Sequence, residues 1–189
     1  RSRRSDSMES YTCKRQPHLM PIRPVTEAMP TPALREDCVS FNTATTTLRD
    51  IDGRWTIADG NHLLFNFGDK KMEALQALKI TKYYCMDSSC VVGRPDPSFR
   101  YLLVNGQAPQ GNIPGEDCIA FNPNTIEVRN IDGRWKTVDG ARWLFDFDNK
   151  KGEARTAFAI IKKYGFTRSC LVGRPDPGFI YLRREVTGA

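Results

Sequence analysis

Asp52-Gly53-Arg54-Trp55-Thr56-Ile57-Ala58-Asp59-Gly60 returns 80 residues later as Asp132-Gly133-Arg134-Trp135-Lys136-Thr137-Val138-Asp139-Gly140. The match continues in both directions. Upstream, Glu36-Asp37-Cys38 repeats as Glu116-Asp117-Cys118; downstream, Val92-Gly93-Arg94-Pro95-Asp96-Pro97 repeats as Val172-Gly173-Arg174-Pro175-Asp176-Pro177. No insertion interrupts the alignment, and about half of its positions are identical, far beyond what shared composition produces. The chain is a duplicated module. What both copies keep either folds one module or belongs to a surface used twice.

Local patterns predict the elements of one copy. Residues 38–42 alternate apolar and polar as a short strand does, and a second strand is expected over residues 45–51. The two Asp-Gly pairs around Arg54-Trp55 are tight-turn signals, because glycine takes the positive φ such turns require, so a three-stranded meander follows. From Lys70 to Tyr84 the period becomes helical. Ala74, Ala77, Leu78, Thr81 and Tyr84 share a face, as do Ala154, Ala157, Phe158, Ile161 and Tyr164 in the second copy. Asp69 and Asn149 are the expected N-caps, and Glu73 and Glu153 suit the positive end of the helix dipole. Cys90-Val91-Val92 reads as a strand stopped by two prolines, and residues 99–104 supply a last one. The expected class is α+β, two tandem pseudo-twofold modules, each an antiparallel sheet of five to six strands with one helix.

The boundaries that follow are an extended basic, proline-rich arm (1–35), module one (36–104), a linker (105–115) expected to let the modules rotate, module two (116–184) and a short tail (185–189). Modules of this size bury only about 60% of their unfolded surface, so each is expected to lean on its twin. The arm, with Pro17, Pro21, Pro24, Pro30 and Pro32, is expected to be disordered or to strap a neighbouring subunit.

The formal net charge is +6. Seven basic against three acidic residues of the arm carry most of it, which leaves the modules without the basic stripe that nucleic-acid binding requires. No apolar run reaches the roughly 18 residues of a membrane span. The chain opens on Arg1, which leads us to expect a processed chain whose signal or transit peptide has gone.

Of six cysteines, Cys38 and Cys90 match Cys118 and Cys170, while Cys13 and Cys85 have no counterparts. The four matched residues read either as one disulfide per module or as buried small apolar side chains. The repeated acids Asp37/Asp117, Asp52/Asp132, Asp59/Asp139, Glu73/Glu153 and Asp96/Asp176 all fall in turns, helix starts or proline loops, where each has a structural task. His62 becomes Arg142, which removes a duplicated His triad or metal site, and Cys38, Cys85 and Cys90 fit no standard zinc spacing. No catalytic residue, cofactor or metal is therefore assigned. Binding is the better reading. Arg94 and Asp96, with Arg174 and Asp176, place a cation and an anion on stiff loops that can dock on another chain, or can pair internally. Trp55, Trp135 and Trp143 are candidate sugar platforms, although strand alternation with the phenylalanines favours a core role.

The motif Asp-Gly-Arg-Trp, Leu-Phe-x-Phe, an Ala-rich helix and Ser-Cys-x-Val-Gly-Arg-Pro-Asp-Pro resembles a module of uncharacterised cyanobacterial and other bacterial proteins. The tandem plan is also similar to that of algal (diatom) pyrenoid shell proteins, which implies a plastid protein in the stroma or pyrenoid, with reduced cysteines, that tiles into sheets. The resemblance covers both modules and not the arm. The leading expectation is a non-enzymatic structural protein that self-assembles into a sheet, tube or shell with copies of itself, and possibly with other proteins of that assembly. The alternatives are a secreted bivalent carbohydrate-binding protein and, third, a disulfide-stapled inhibitor.

Overall fold

The computed structural model describes residues 34–185, so the expected arm and tail lie outside the described residues except for Leu34, Arg35 and Glu185. The first half runs β1 (Asp37–Ser40), β2 (Thr46–Ile51), β3 (Arg54–Asp59), β4 (His62–Asn66), α1 (Lys71–Tyr84), β5 (Ser88–Val92) and β6 (Phe99–Leu103). The second repeats it as β7 (Cys118–Ala120), β8 (Ile126–Ile131), β9 (Arg134–Asp139), β10 (Arg142–Asp146), α2 (Lys151–Tyr164), β11 (Arg168–Val172) and β12 (Phe179–Arg183). The fold is α+β with two similar halves.

The meanders form as the Asp-Gly turns dictate. Asp52 and Gly53 take φ of 53° and 80°, the left-handed pair a type I′ turn needs, and the Asp50 carboxylate accepts the Gly53 N–H at 2.9 Å. The sheets are smaller than expected. β1 pairs with β5 and β5 with β6, separately from β2-β3-β4, so the described residues form four three-stranded antiparallel sheets. The cause lies at residues 42–45. Asn42 caps a short 3-10 turn over Thr43–Thr45 and donates its N–H to Asp59 at 2.8 Å, while Phe41 donates its N–H to Asp87. The chain is thereby turned from one sheet to the other instead of pairing β1 with β2.

The repeat in the sequence is not the unit of packing. One core gathers Phe41, Ile57, Phe67, Ala74, Ala77, Ile80, Tyr84 and Met86 from the first half around Cys170, Val172, Phe179 and Tyr181 from the second. The other core is its twofold image: Cys90, Val92, Phe99 and Tyr101 insert among Phe121, Ile126, Phe147, Ala154, Ala157, Ile160, Ile161 and Phe166. Each half thus lends its terminal hairpin to its twin, with Phe65–Phe179 and Phe99–Phe145 edge contacts at 5.3 and 5.2 Å across the seam. Tyr101 and Tyr181 are fully buried, and burial of one such side chain stabilises by about 1.5–3 kcal/mol. The alanines of the helix face let α1 and α2 lie close to their sheets. Ile80 and Ile160 are buried there as well, although the predicted face omitted them.

Two details differ from the sequence expectation, and a third, the disulfides, decides between its two readings of the cysteines. Lys70 and Lys150, and not Asp69 and Asn149, occupy the cap positions without a side-chain hydrogen bond. The lead-in turn explains it, because Lys71 N–H already has the carbonyl of Asp69 as acceptor at 3.0 Å. The linker is fastened and offers no free swivel: Val104 and Gln107 exchange backbone hydrogen bonds of 2.8 and 3.0 Å, Arg184 N–H reaches Pro109 O at 2.8 Å, and Ile113 packs on the core. Finally, Cys38 is bonded to Cys90 and Cys118 to Cys170, each joining the first strand of a half to the strand after its helix. The reduced thiols implied by the shell resemblance are not found at these positions.

Candidate functional site

Two retained glutamates hold one half to the other. Glu116, at the start of the second half, accepts the hydroxyls of Tyr84 (2.7 Å) and Tyr181 (2.5 Å), the guanidinium Nε of Arg183 (3.1 Å) and the Ile113 N–H (3.3 Å). Tyr84 belongs to the first half, so the carboxylate bridges the two. Glu36 repeats the arrangement with Tyr101 (2.8 Å), Tyr164 (2.6 Å) and Lys163 (2.5 Å). Neither glutamate was among the acids singled out from the sequence. The signal was present, because Glu36/Glu116, Tyr84/Tyr164 and Tyr101/Tyr181 are all kept in both copies.

Burial works to raise the pKa of Glu36, but the hydrogen bonds from Lys163, Tyr164 and Tyr101 outweigh it and hold the carboxyl below its ordinary value. The same burial, with the carboxylate beside them, pushes the phenols of Tyr101 and Tyr164 well above theirs. Asp37 and Asp117 are lowered by their arginines, and Asp59 and Asp139 by threonine hydroxyls. Asp146, which accepts the Asp148 N–H and faces Arg134 and Lys136, is lowered to about 2. A carboxyl lowered on folding contributes stability that is complete above its unfolded pKa and is lost as pH falls through its folded pKa. The midpoint in urea should therefore decline steadily as pH falls from about 5 toward 2. A midpoint that stays flat over that interval would contradict these contacts.

The Arg-Pro-Asp-Pro loops sit where the halves meet. Arg94 forms a bidentate pair with Asp37, and Arg174 with Asp117 at 2.6 and 2.9 Å. The arginines are thus engaged internally, with Asp37 at the start of β1 and Asp117 just before β7, and not with the neighbouring Asp96 and Asp176. Both Arg–Pro bonds are cis. Gly93 and Gly173, at φ of 89° and 88°, allow the loops to lie on the first turn of the opposite helix. A Cβ on Gly93 would stand 1.6 Å from Glu153 Oε1, and one on Gly173 would stand 1.7 Å from Glu73 Oε1. Ser98 donates to Glu153 at 3.1 Å, whereas Gly178 stands at the matching place and leaves Glu73 Oε2 buried without a hydrogen bond among the described residues.

Two like sets of surface contacts each draw on both halves. In one, Asp176 lies beside Lys70, whose ammonium donates to the Asp176 carbonyl at 3.1 Å, and Lys71 stacks 4.6 Å over Trp55. In the other, Asp96 lies beside Lys150 at 3.4 Å, and Lys151 stacks 4.7 Å over Trp135. The side chains of Asp96 and Asp176 are exposed and have no hydrogen bond or ion pair among the described residues.

Trp55 and Trp135 are half-buried, as a core role suggests. Trp143 is not a core residue: it is 60% exposed and lies over Lys136, whose ammonium is 4.1 Å from the ring and 3.2 Å from Asp146. Register explains the difference, because a bulge between Trp143 and Phe145 turns the phenylalanine inward and leaves the indole on the outer face. The ligand-type cluster found among the described residues is Glu116 with Cys118 and Cys170. Its two sulfurs are bonded to each other, so they are not thiolates a metal can use. Among the described residues no helix is long and apolar enough to cross a membrane. Set against known proteins, the chain matches no family model, no curated protein and no solved structure.

Proposed function

We propose that the protein is a non-enzymatic structural protein that assembles with copies of itself through the two composite patches. The observation that carries this reading is the state of Asp96 and Asp176: kept in both halves, exposed, without a side-chain partner among the described residues, and each set beside a lysine contributed by the other half. Each patch holds an anion next to cations, so it is complementary to a second copy of itself turned by a twofold. Two such patches on one molecule make a divalent unit, and divalent units joined patch to patch extend into an array. Apart from Asp96 and Asp176, the repeated acids lie in turns, pair with loop arginines or sit at the joint between halves, which supports a role without bond-making. For location, the disulfides support an oxidising compartment, and so the secreted alternative over the plastid stroma.

The test is charge reversal. Wild-type protein should form concentration-dependent oligomers in sedimentation velocity and extended assemblies in electron microscopy. Asp176→Lys, with one patch left, should stop at dimers, and the Asp96→Lys/Asp176→Lys protein should stay monomeric at concentrations at least tenfold higher, since apposed like charges cost several kcal/mol. A double variant that assembles as the wild type does, or a wild type that stays monomeric when concentrated, would overturn the proposal.

One observation favours carbohydrate binding as a second reading. Trp143 offers an exposed ring braced by Lys136 beside an Arg134–Asp146 pair, the flat apolar face and polar rim that a sugar ring uses. Leu63 stands at the matching place in the first half, so this reading supplies one platform and not two. Retention on immobilised glycans that is lost in Trp143→Ala would support it.

A further inference from the structure

The end of α2 carries charge that the end of α1 lacks. Across the repeat, Asp87 of the first half becomes Thr167 and Val104 becomes Arg184, so one corner of the second half loses an acid and gains a cation. The exchange leaves the local backbone as it was. In the first half the Asp87 carboxylate accepts the Asn105 N–H at 3.1 Å, and in the second the Thr167 hydroxyl accepts the Glu185 N–H at 2.9 Å. A neutral group does for this turn what an anion does in its twin. Folding does not require the new cation either, because the first half builds the same corner with a buried valine.

Thr167 and Arg184 open onto a cleft of about 370 Å³, which Asn124, Lys162, Gly165 and Glu185 also line. That volume is within the roughly 300–1,000 Å³ of small-molecule sites. The Arg184 backbone is fixed by its N–H on the Pro109 carbonyl at 2.8 Å. Its guanidinium lies across the C-cap of α2, with Nε 3.9 Å from the point where a Cβ on Gly165 would stand. Lys162 and Arg184 are exposed and have no ion pair among the described residues; the lysine touches only the Phe158 ring, at 4.6 Å. The acid at the rim, Glu185, is taken up by Arg168 at 2.6 Å. At the helix end itself, the Ile161 carbonyl already accepts the N–H groups of Gly165 and Phe166 at 3.0 and 3.2 Å. The cleft therefore presents two uncompensated cations. It also presents a donor, since the Thr167 oxygen accepts the Glu185 N–H and leaves its own proton free. A guanidinium fork matches two oxygens of a tetrahedral anion, and an ammonium adds a point charge to a third.

We propose that this cleft binds a phosphate or sulfate group, with Arg184 across two of its oxygens, Lys162 on a third and the Thr167 hydroxyl donating beside them. The site belongs to the second half alone. It shares no residue with the surfaces of the assembly proposal, so either can fail without the other.

Amide NMR of the full chain tests it, with inorganic phosphate and inorganic sulfate titrated separately at an ionic strength held constant with sodium chloride. The Gly165, Thr167, Arg184 and Glu185 signals should move along saturating curves for both ions, while the matching Cys85, Asp87, Val104 and Asn105 signals stay in place. Arg184→Val, which installs the residue of the first half, should weaken binding at least tenfold, on the order of one lost charge-assisted pair. Thr167→Asp returns the acid and should weaken it as much, with the Glu185 N–H still accepted. A sugar phosphate monoester run alongside distinguishes the source: tighter binding than inorganic phosphate assigns the group to a larger molecule, and equal binding assigns it to the free ion. Shifts that grow linearly without saturation, or saturable binding that survives both substitutions, would overturn the proposal.

Discussion

Replacing Glu116 with alanine should lower the unfolding free energy by about 3–5 kcal/mol, the cost of stranding one member of a buried ion pair. The carboxylate and its partner Arg183 have side chains only 5% and 7% exposed, so water does not take over when the anion is removed. The hydroxyls of Tyr84 and Tyr181 lose their acceptor in the same step. A compensating change separates the stranded charge from lost packing. The residue matching Arg183 in the first half is Leu103, which is buried there, so Glu116→Ala/Arg183→Leu should recover a good part of the loss. Glu36→Ala should cost less, because Lys163 is about half exposed and returns to solvent. Urea unfolding of the three variants checks the order. A Glu116→Ala protein as stable as the wild type would mean that the joint between the halves does not depend on this cluster.

Removing one disulfide should have an effect of similar size. Cys118 and Cys170 are 52 residues apart, and closing a loop of that length in the unfolded chain is worth about 4 kcal/mol. Cys170 lies in the core built around helix α1 of the first half, so the loss is not confined to the half that carries the bond. Cys118→Ser/Cys170→Ser should unfold as one transition at lower urea, without a separate early step for the second half. Domains of this size have about 5–15 kcal/mol to lose in total. Removing the Cys38–Cys90 bond as well should therefore leave the chain mostly unfolded at physiological temperature.

The sequence made the elements legible and concealed how they combine. The Asp-Gly pairs, the alanine stripe and the proline loops located strands, helices and turns to within a residue or two, because each is a local consequence of backbone chemistry. The exchange of hairpins is not local. Tyr101 and Phe99 carry the same alternation whether they pack on their own helix or on that of the twin, and duplicated sequences make those alternatives indistinguishable by pattern. The same holds for Glu116, whose side-chain partners lie 32 to 67 positions away. Arg94 was recognised as a charge on a stiff loop, but its partner Asp37 is 57 residues distant. Asp96, and with it Asp176, is thereby left without a side-chain partner among the described residues. The Trp143 bulge was equally hidden, since one extra residue in a strand reverses the face of everything beyond it.

The central claim is that neither half can complete a core without the other. Residues 34–104 expressed alone test it most directly by sedimentation and cooperative unfolding. The fragment should be unfolded, or should fold only as a dimer in which two copies trade hairpins, and it should fold when mixed with residues 105–185. A fragment that folds alone as a monomer with a sharp unfolding transition would contradict the account.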